Sequence, residues 1–114
     1  MAYRIDRINN LIRQELSELL HRQVKDPRLG GFITVTSVST SADLKYAKVY
    51  VSQLDTQANR QDVLSTLSTA AGFFRREMTK SLRLRRIPEL SFHWDDSIER
   101  AARILDLMDQ LDQD

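Results

Sequence analysis

The sequence predicts a two-layer α+β sandwich: a three-stranded sheet with helices on one face. Three observations predict it. Apolar residues recur at three- and four-residue steps near the start, between residues 59 and 84, and again near the end. Three short runs at 32–39, 46–52 and 89–94 are rich in β-branched and aromatic residues. Turn-forming residues separate the first helix from the strands. A chain of 114 residues fits one domain, taken as residues 1–114, with 109–114 as a frayed acidic tail.

Each element follows from its own residues. Residues 4–22 read as a helix because Ile5, Ile8, Ile12, Leu16 and Leu19 form one stripe, which Leu11 and Leu20 widen. Asp26-Pro27 and Gly30-Gly31 end it and turn the chain. Phe32 to Ser39 is a strand whose alternation, Ile33 then Val35, slips at Val38, so a bulge or twist is expected there. Tyr46 to Ser52 alternates cleanly, with Ala47, Val49 and Val51 on one side and Tyr46, Lys48 and Tyr50 on the other. The short polar link between these runs predicts an antiparallel hairpin.

Residues 59–69 are helical, with Val63, Leu64 and Leu67 inward. Ala70-Ala71-Gly72 interrupts, and Phe73, Phe74, Met78 and Leu82 carry a second stripe to about residue 84. Pro88 opens the last strand, Glu89 to Trp94, with Leu90, Phe92 and Trp94 on one side. Asp95, Asp96 or Ser97 caps a final helix. Its stripe of Ile98, Ala101, Ala102, Leu105 and Met108 is expected to join the core.

Composition narrows the function classes. Cysteine is absent, which removes disulfides, thiolate nucleophiles and cysteine-based zinc sites and fits a reducing cytosol. No apolar run approaches the roughly 20 residues that span a bilayer, and no apolar segment of a signal peptide opens the chain, so a cytoplasmic protein without a membrane is expected. Net charge is only +1, but its distribution is uneven. Residues 1–94 hold 15 Lys and Arg against 9 Asp and Glu, while residues 95–114 hold 2 against 7. A basic body with an acidic end points to an anionic partner for the body.

The densest positive charge is RREMTKSLRLRR at 75–86, where Arg75, Arg76, Lys80, Arg83, Arg85 and Arg86 face one opposing Glu77. Met78 and Leu82 turn to the core, so Arg75, Arg76, Lys80 and Arg83 are expected on the outer helix surface, with Arg85 and Arg86 where the helix frays. Such clusters bind phosphate backbones, because each neutralised phosphate releases condensed counterions. A solvated helix face is the plainer reading of the same residues. Beside the cluster, Ala70-Ala71-Gly72 offers small side chains at a helix start, where a backbone can approach and free N–H groups meet an anion. KH domains place a GXXG loop between helices for this purpose; here an Ala-X-Gly kink, Ala70 to Gly72, stands in its place. A packing site that admits only small residues would look the same. Lys25 and Arg28 in the KDPR turn are further phosphate candidates, Arg4 and Arg7 extend the basic surface, and Lys45 and Lys48 lie in and after the hairpin turn. Tyr46 and Tyr50 either stack bases or simply pack.

Five stretches in order resemble one family, ribosome-binding factor A: KDPRLG at 25–30, DLKYAKVYVS at 43–52, AAGFFRREM at 70–78, LRLRRIPELSFHWDDSIE at 82–99, and Arg103-Ile104. The resemblance implies a KH-like fold with the Ala-X-Gly kink. It implies a ribosome assembly factor that binds free immature small ribosomal subunits and promotes late maturation of their rRNA, near its 5′-terminal helix. It further implies a link to growth in the cold and to a small-subunit-dependent GTPase. The family's RNA contact carries over to Arg75, Arg76, Lys80, Arg83, Arg85 and Arg86 around the kink. A monomer that needs no cofactor and no metal is expected. Some relatives carry a long charged tail; the sequence here ends at Asp114.

Two other classes compete. An enzyme would have to use His21 or His93, the latter near Asp95 and Asp96. A strand-end histidine beside a helix cap explains those residues equally, and no phosphate-binding glycine loop or nucleophile motif is present. A protein-interaction adaptor, or a general KH-like RNA-binding protein, would use the amphipathic first and last helices or the basic helix without the ribosome.

Overall fold

The computed structural model describes residues 2–22, 33–53 and 59–112, with side chains from Arg4 to His21 in the first of these segments. Among them the order is α1 (Ala2–Arg22), β1 (Ile33–Thr40), β2 (Tyr46–Gln53), α2 (Arg60–Thr69), α3 (Ala71–Ser81), β3 (Glu89–Trp94) and α4 (Ser97–Asp112). The expected turn at 26–31 and Phe32 lie outside the described residues.

The sheet runs β1-β2-β3. β1 and β2 form the antiparallel hairpin. β3 joins β2 in parallel, with Val49 opposite Phe92. A parallel neighbour cannot follow a tight turn, so the α2–α3 pair makes the crossover. Register shifts between Val35 and Ser37, leaving Thr36 as the extra residue of a bulge. That bulge restores Val38 and Thr40 to the side of Ile33 and Val35, all buried, so the slip read at Val38 is real.

The core lies between this sheet and three helices. Ile8, Ile12, Leu16, Leu19 and Leu20 of α1 meet Val35, Val38, Ala47, Val49 and Val51, with Val63, Leu67, Phe74 and Met78 from α2 and α3. Burial of each Val, Leu, Ile, Phe or Met side chain here contributes about 1.5–3 kcal/mol. Phe74 reaches Phe92 with ring centroids 5.9 Å apart. At the edge, Asn9 Oδ1 accepts from Thr40 N at 3.0 Å and from Thr40 Oγ1 at 2.5 Å, fixing α1 to the end of β1.

The last helix departs from expectation. α4 forms, but none of its residues is buried, and Ile98 and Leu111 are 74% and 75% exposed. Its stripe is not core. The reason is topological: α1, α2 and α3 already cover the buried face, and α4 leaves from edge strand β3. Arg60 Nη2 meets Glu99 Oε1 at 3.1 Å and ties its first turn to α2. Helix geometry continues through residues 109–112.

Candidate nucleic-acid interface

The chain folds around the Ala-X-Gly kink because α2 and α3 share one residue. Asn59 caps α2, its side chain accepting from Gln61 N and Asp62 N. Ala70 then ends α2 and starts α3: its N–H donates to the Thr66 and Leu67 carbonyls, and its own carbonyl accepts from Phe74 N at 3.1 Å. No side chain caps α3. First-turn amides without a capping side chain favour an anion at this point.

Gly72 is exposed in the first turn of α3. A Cβ placed there would meet only Arg76 Nη1, at an ordinary 3.8 Å. Packing within the chain therefore does not demand glycine at this position, and the reading as a tight intramolecular packing site fails for it. The space around this position opens away from the chain.

A shallow depression of about 400 Å³ is lined by Gly72, Arg75, Arg76, Thr79, Arg86 and Ile87. Three of the six sequence-predicted cations thus converge beside the kink. Arg75 and Arg76 come from α3, and Arg86 comes from the linker 82–88 that returns along it. Arg75 also braces the linker. Its Nη2 donates to the Ile87 carbonyl at 3.2 Å and holds that segment against the helix.

The remaining candidates divide. Lys80 is exposed on α3, 3.5 Å from Glu77, a surface pair worth little in stability. Arg83, expected on the helix, is not part of it: α3 ends at Ser81, and Leu82 is already extended at φ −100°, ψ 132°. The cause is the linker, which must carry Ile87 and Pro88 into burial and align β3 with β2. Arg85 lines a second cavity together with Arg4 and Arg86. Arg86 belongs to both, so the two cavities adjoin. Ala70 is half-buried at the junction and lines neither. Lys25 and Arg28 lie outside the described residues.

On the opposite side of the sheet, Tyr46, Lys48 and Tyr50 face away from the helices, and Tyr46 is 57% exposed. Tyr50 packs on His93 with centroids 5.5 Å apart. His93 Nε2 lies 3.0 Å from Ser91 Oγ. Asp95 and Asp96 are occupied elsewhere: Asp95 accepts from Thr36 Oγ1 and Ser97 N, and Asp96 pairs with Arg100 at 2.9 Å. The acid–base pair considered for His93 is therefore not assembled. Among the described residues, no group of three or more His, Asp or Glu is placed to hold a metal, and no helix is long and apolar enough to cross a membrane.

Sequence reasoning missed Thr79 and Ile87 in the depression and the meeting of Arg4 with Arg85 and Arg86. No local pattern signals either, because both depend on how the linker folds back.

Comparison with known proteins bears on the family and the fold. A family model described as ribosome-binding factor A matches residues 4–108. A ribosome-binding factor A of Dictyoglomus thermophilum is 43% identical over 111 residues, covering 97% of this chain and 92% of that protein. One from Dehalococcoides mccartyi is 41% identical, covering 99% and 96%. The crystal structure of ribosome-binding factor A from Thermus thermophilus superposes with TM-score 0.71 at 27% identity, over 79% of this chain and 93% of that one. A Thermus thermophilus ribosome binding factor A fitted into a cryo-EM map of a 30S complex matches with TM-score 0.63 at 28% identity, over 75% and 89%. Full-length sequence similarity and a shared fold together establish that this chain belongs to the ribosome-binding factor A family.

Proposed function

We propose that this protein is a ribosome assembly factor that binds the free immature small ribosomal subunit and promotes late maturation of its rRNA, including processing near the 5′ end. The observation that carries the reading is the depression beside the kink, where Gly72, Arg75, Arg76 and Arg86 form an open cationic surface. The relative fitted into a 30S complex supports the choice of particle. The role is binding: the basic face favours one rRNA conformation by holding it more tightly than the alternatives, since a ligand shifts an equilibrium only through differential affinity. No bond is made or broken by this chain. A monomer in the cytoplasm, with release linked to a small-subunit-dependent GTPase, completes the reading.

Co-sedimentation with small subunits, large subunits and full ribosomes at two salt concentrations tests it. Enrichment on free small subunits that weakens with salt is the expected result. Association with no ribosomal particle would overturn it. One observation favours a second activity, protein interaction, beside the first: the exposed apolar stripe of α4. Loss of subunit binding on replacing Leu105 and Met108 with Ser, with the basic face intact, would support the adaptor reading.

A further inference from the structure

The cavity that adjoins the kink depression has a different character. It holds about 420 Å³, within the range of small-ligand sites. Its walls are Ile8 of α1, Leu44 of the hairpin turn, and Leu84 and Pro88 of the linker. Arg4, Arg85 and Arg86 stand around it, and Asp43 completes the lining. A phosphate-binding groove needs no apolar walls. A cavity with apolar walls, guanidinium groups and one carboxylate fits a flat aromatic ring joined to a phosphate.

The hairpin turn gives a second observation. Leu44 has φ 63°, among the described residues the one non-glycine position with positive φ. Leucine rarely adopts that conformation, and glycine would adopt it without strain. The turn imposes it. Leu44 N donates to the Ser41 carbonyl at 2.9 Å, Asp43 Oδ1 accepts from Ser41 Oγ at 2.6 Å and from Lys45 N at 3.1 Å, and Ser41 Oγ accepts from Tyr46 N. The result sets the Leu44 side chain into the cavity wall and against the edge of the core. Strain of this kind collects at binding sites.

We propose that this cavity seats one unstacked guanine nucleotide of the bound RNA, its base between the Leu44 and Leu84 walls and its phosphates on Arg85, Arg86 and Arg4. The proposal rests on the RNA-binding reading and adds a base-specific contact to it. Guanine follows from Asp43. The Ser41 hydroxyl, then the Lys45 amide, hold its carboxyl below the usual range, so at neutral pH it only accepts hydrogen bonds. Two donors occupy Oδ1, which leaves Oδ2. Guanine presents N1–H and N2–H₂ side by side, and both can share the two lone pairs of Oδ2; adenine and cytosine set one amine beside a ring-nitrogen acceptor that a carboxylate repels, and uracil offers one donor between two carbonyls. Arg86 lines both cavities, so one strand can pass from the kink to this seat without a gap in positive charge.

The test measures binding of the full chain to four uridine pentaribonucleotides with G, A, C or U at the centre. The G pentamer is expected to bind about tenfold more tightly than the A pentamer, in the range that a hydrogen-bonded base-edge contact supplies. Two variants follow. Leu84→Trp fills the cavity and should bring the G pentamer down to the others. Asp43→Asn keeps an oxygen for Ser41 and Lys45 but places an amide donor at the other position, and should abolish the preference for G. Equal affinity for all four pentamers, or a preference untouched by both variants, overturns the proposal. If those four affinities are equal while charge reversal at Arg76, Lys80 and Arg83 weakens all of them, the RNA-binding face stands and the guanine seat falls. Tighter binding of free guanosine 5′-monophosphate than of the G pentamer also overturns it, since the site would then belong to a free nucleotide.

Discussion

Thr36 Oγ1 donates to Asp95 Oδ2 over 2.6 Å, joining the bulge of β1 to the cap of α4 across 59 residues of sequence. The bulge is what makes this possible. As the residue without a partner in the ladder, Thr36 is released from strict alternation, and its hydroxyl also lies 3.2 Å from the Tyr50 carbonyl. Thr36 is the leading cause of a carboxyl held below its ordinary range at Asp95, with Ser97 next.

Replacing Thr36 with Val keeps the shape of the side chain and removes the donor. Stability should fall by about 1 kcal/mol at pH 7, measured by urea unfolding. The pH dependence has a definite sign. A carboxyl depressed in the folded state contributes stability that is present above its unfolded pKa, about 3.9, and lost as pH falls through the folded value. The gap between wild type and Thr36→Val should therefore be constant from pH 7 to about 5 and close below about pH 4. A gap that persists undiminished into strong acid would show that the bond does not depend on the ionised carboxylate.

Charge reversal of Arg76, Lys80 and Arg83 to Glu should leave the fold intact, since all three side chains are exposed. Binding to small subunits should weaken at every salt concentration. The slope of log affinity against log salt should shrink by about 0.7–0.9 for each phosphate that the variant no longer neutralises. Arg75 is a poor choice for this series. Its bond to the Ile87 carbonyl means that Arg75→Ala also loosens the linker, at about 1 kcal/mol of stability. An unchanged salt slope in the folded triple variant would remove this face from the interface.

Gly72 separates packing from binding. Gly72→Ala meets no obstacle beyond Arg76 and should stabilise α3 by up to about 1 kcal/mol, read as a raised Tm. Gly72→Glu should fold as well, yet weaken subunit binding by adding bulk and negative charge where a phosphate backbone would approach. Binding equal to wild type in Gly72→Glu would show that RNA does not touch the kink.

The exposed helix α4 makes no buried contribution, so Leu105→Ser and Met108→Ser should each change unfolding free energy by no more than about 0.5 kcal/mol. In contrast, Asn9→Ala strips the Thr40 amide and hydroxyl of their acceptor and should cost about 1–3 kcal/mol. Equal costs at the two sites would mean that α4 docks on the body in solution.

Much of the architecture is legible in the sequence because periodicity is local. The α1 stripe, the β2 alternation, the Ala70–Gly72 junction and the β3 limits at Glu89 and Trp94 all follow from neighbouring residues. Parallel pairing of β2 with β3 is not readable there, since strand order is a property of the crossover. The α4 stripe looks like a core face because amphipathicity records what a helix is able to bury and not whether a surface remains to receive it. Spacing assigns Arg83 to α3, but burial of Ile87 and Pro88 ends that helix sooner. Of the candidate interface, the charges are visible in sequence. Their division between two cavities sharing Arg86 is not, because it depends on a linker folding back over α1 and α3.

Parallel pairing of β2 and β3 also sets the order in which the surface comes into being. The β1–β2 hairpin closes over a short loop and forms early, whereas β3 must return across the whole of α2 and α3 before it pairs. Arg86 and Ile87 gain their places beside α3 only when that late pairing is made. A nascent or partly unfolded chain thus has its hairpin and its positive charge but no assembled cleft beside α3.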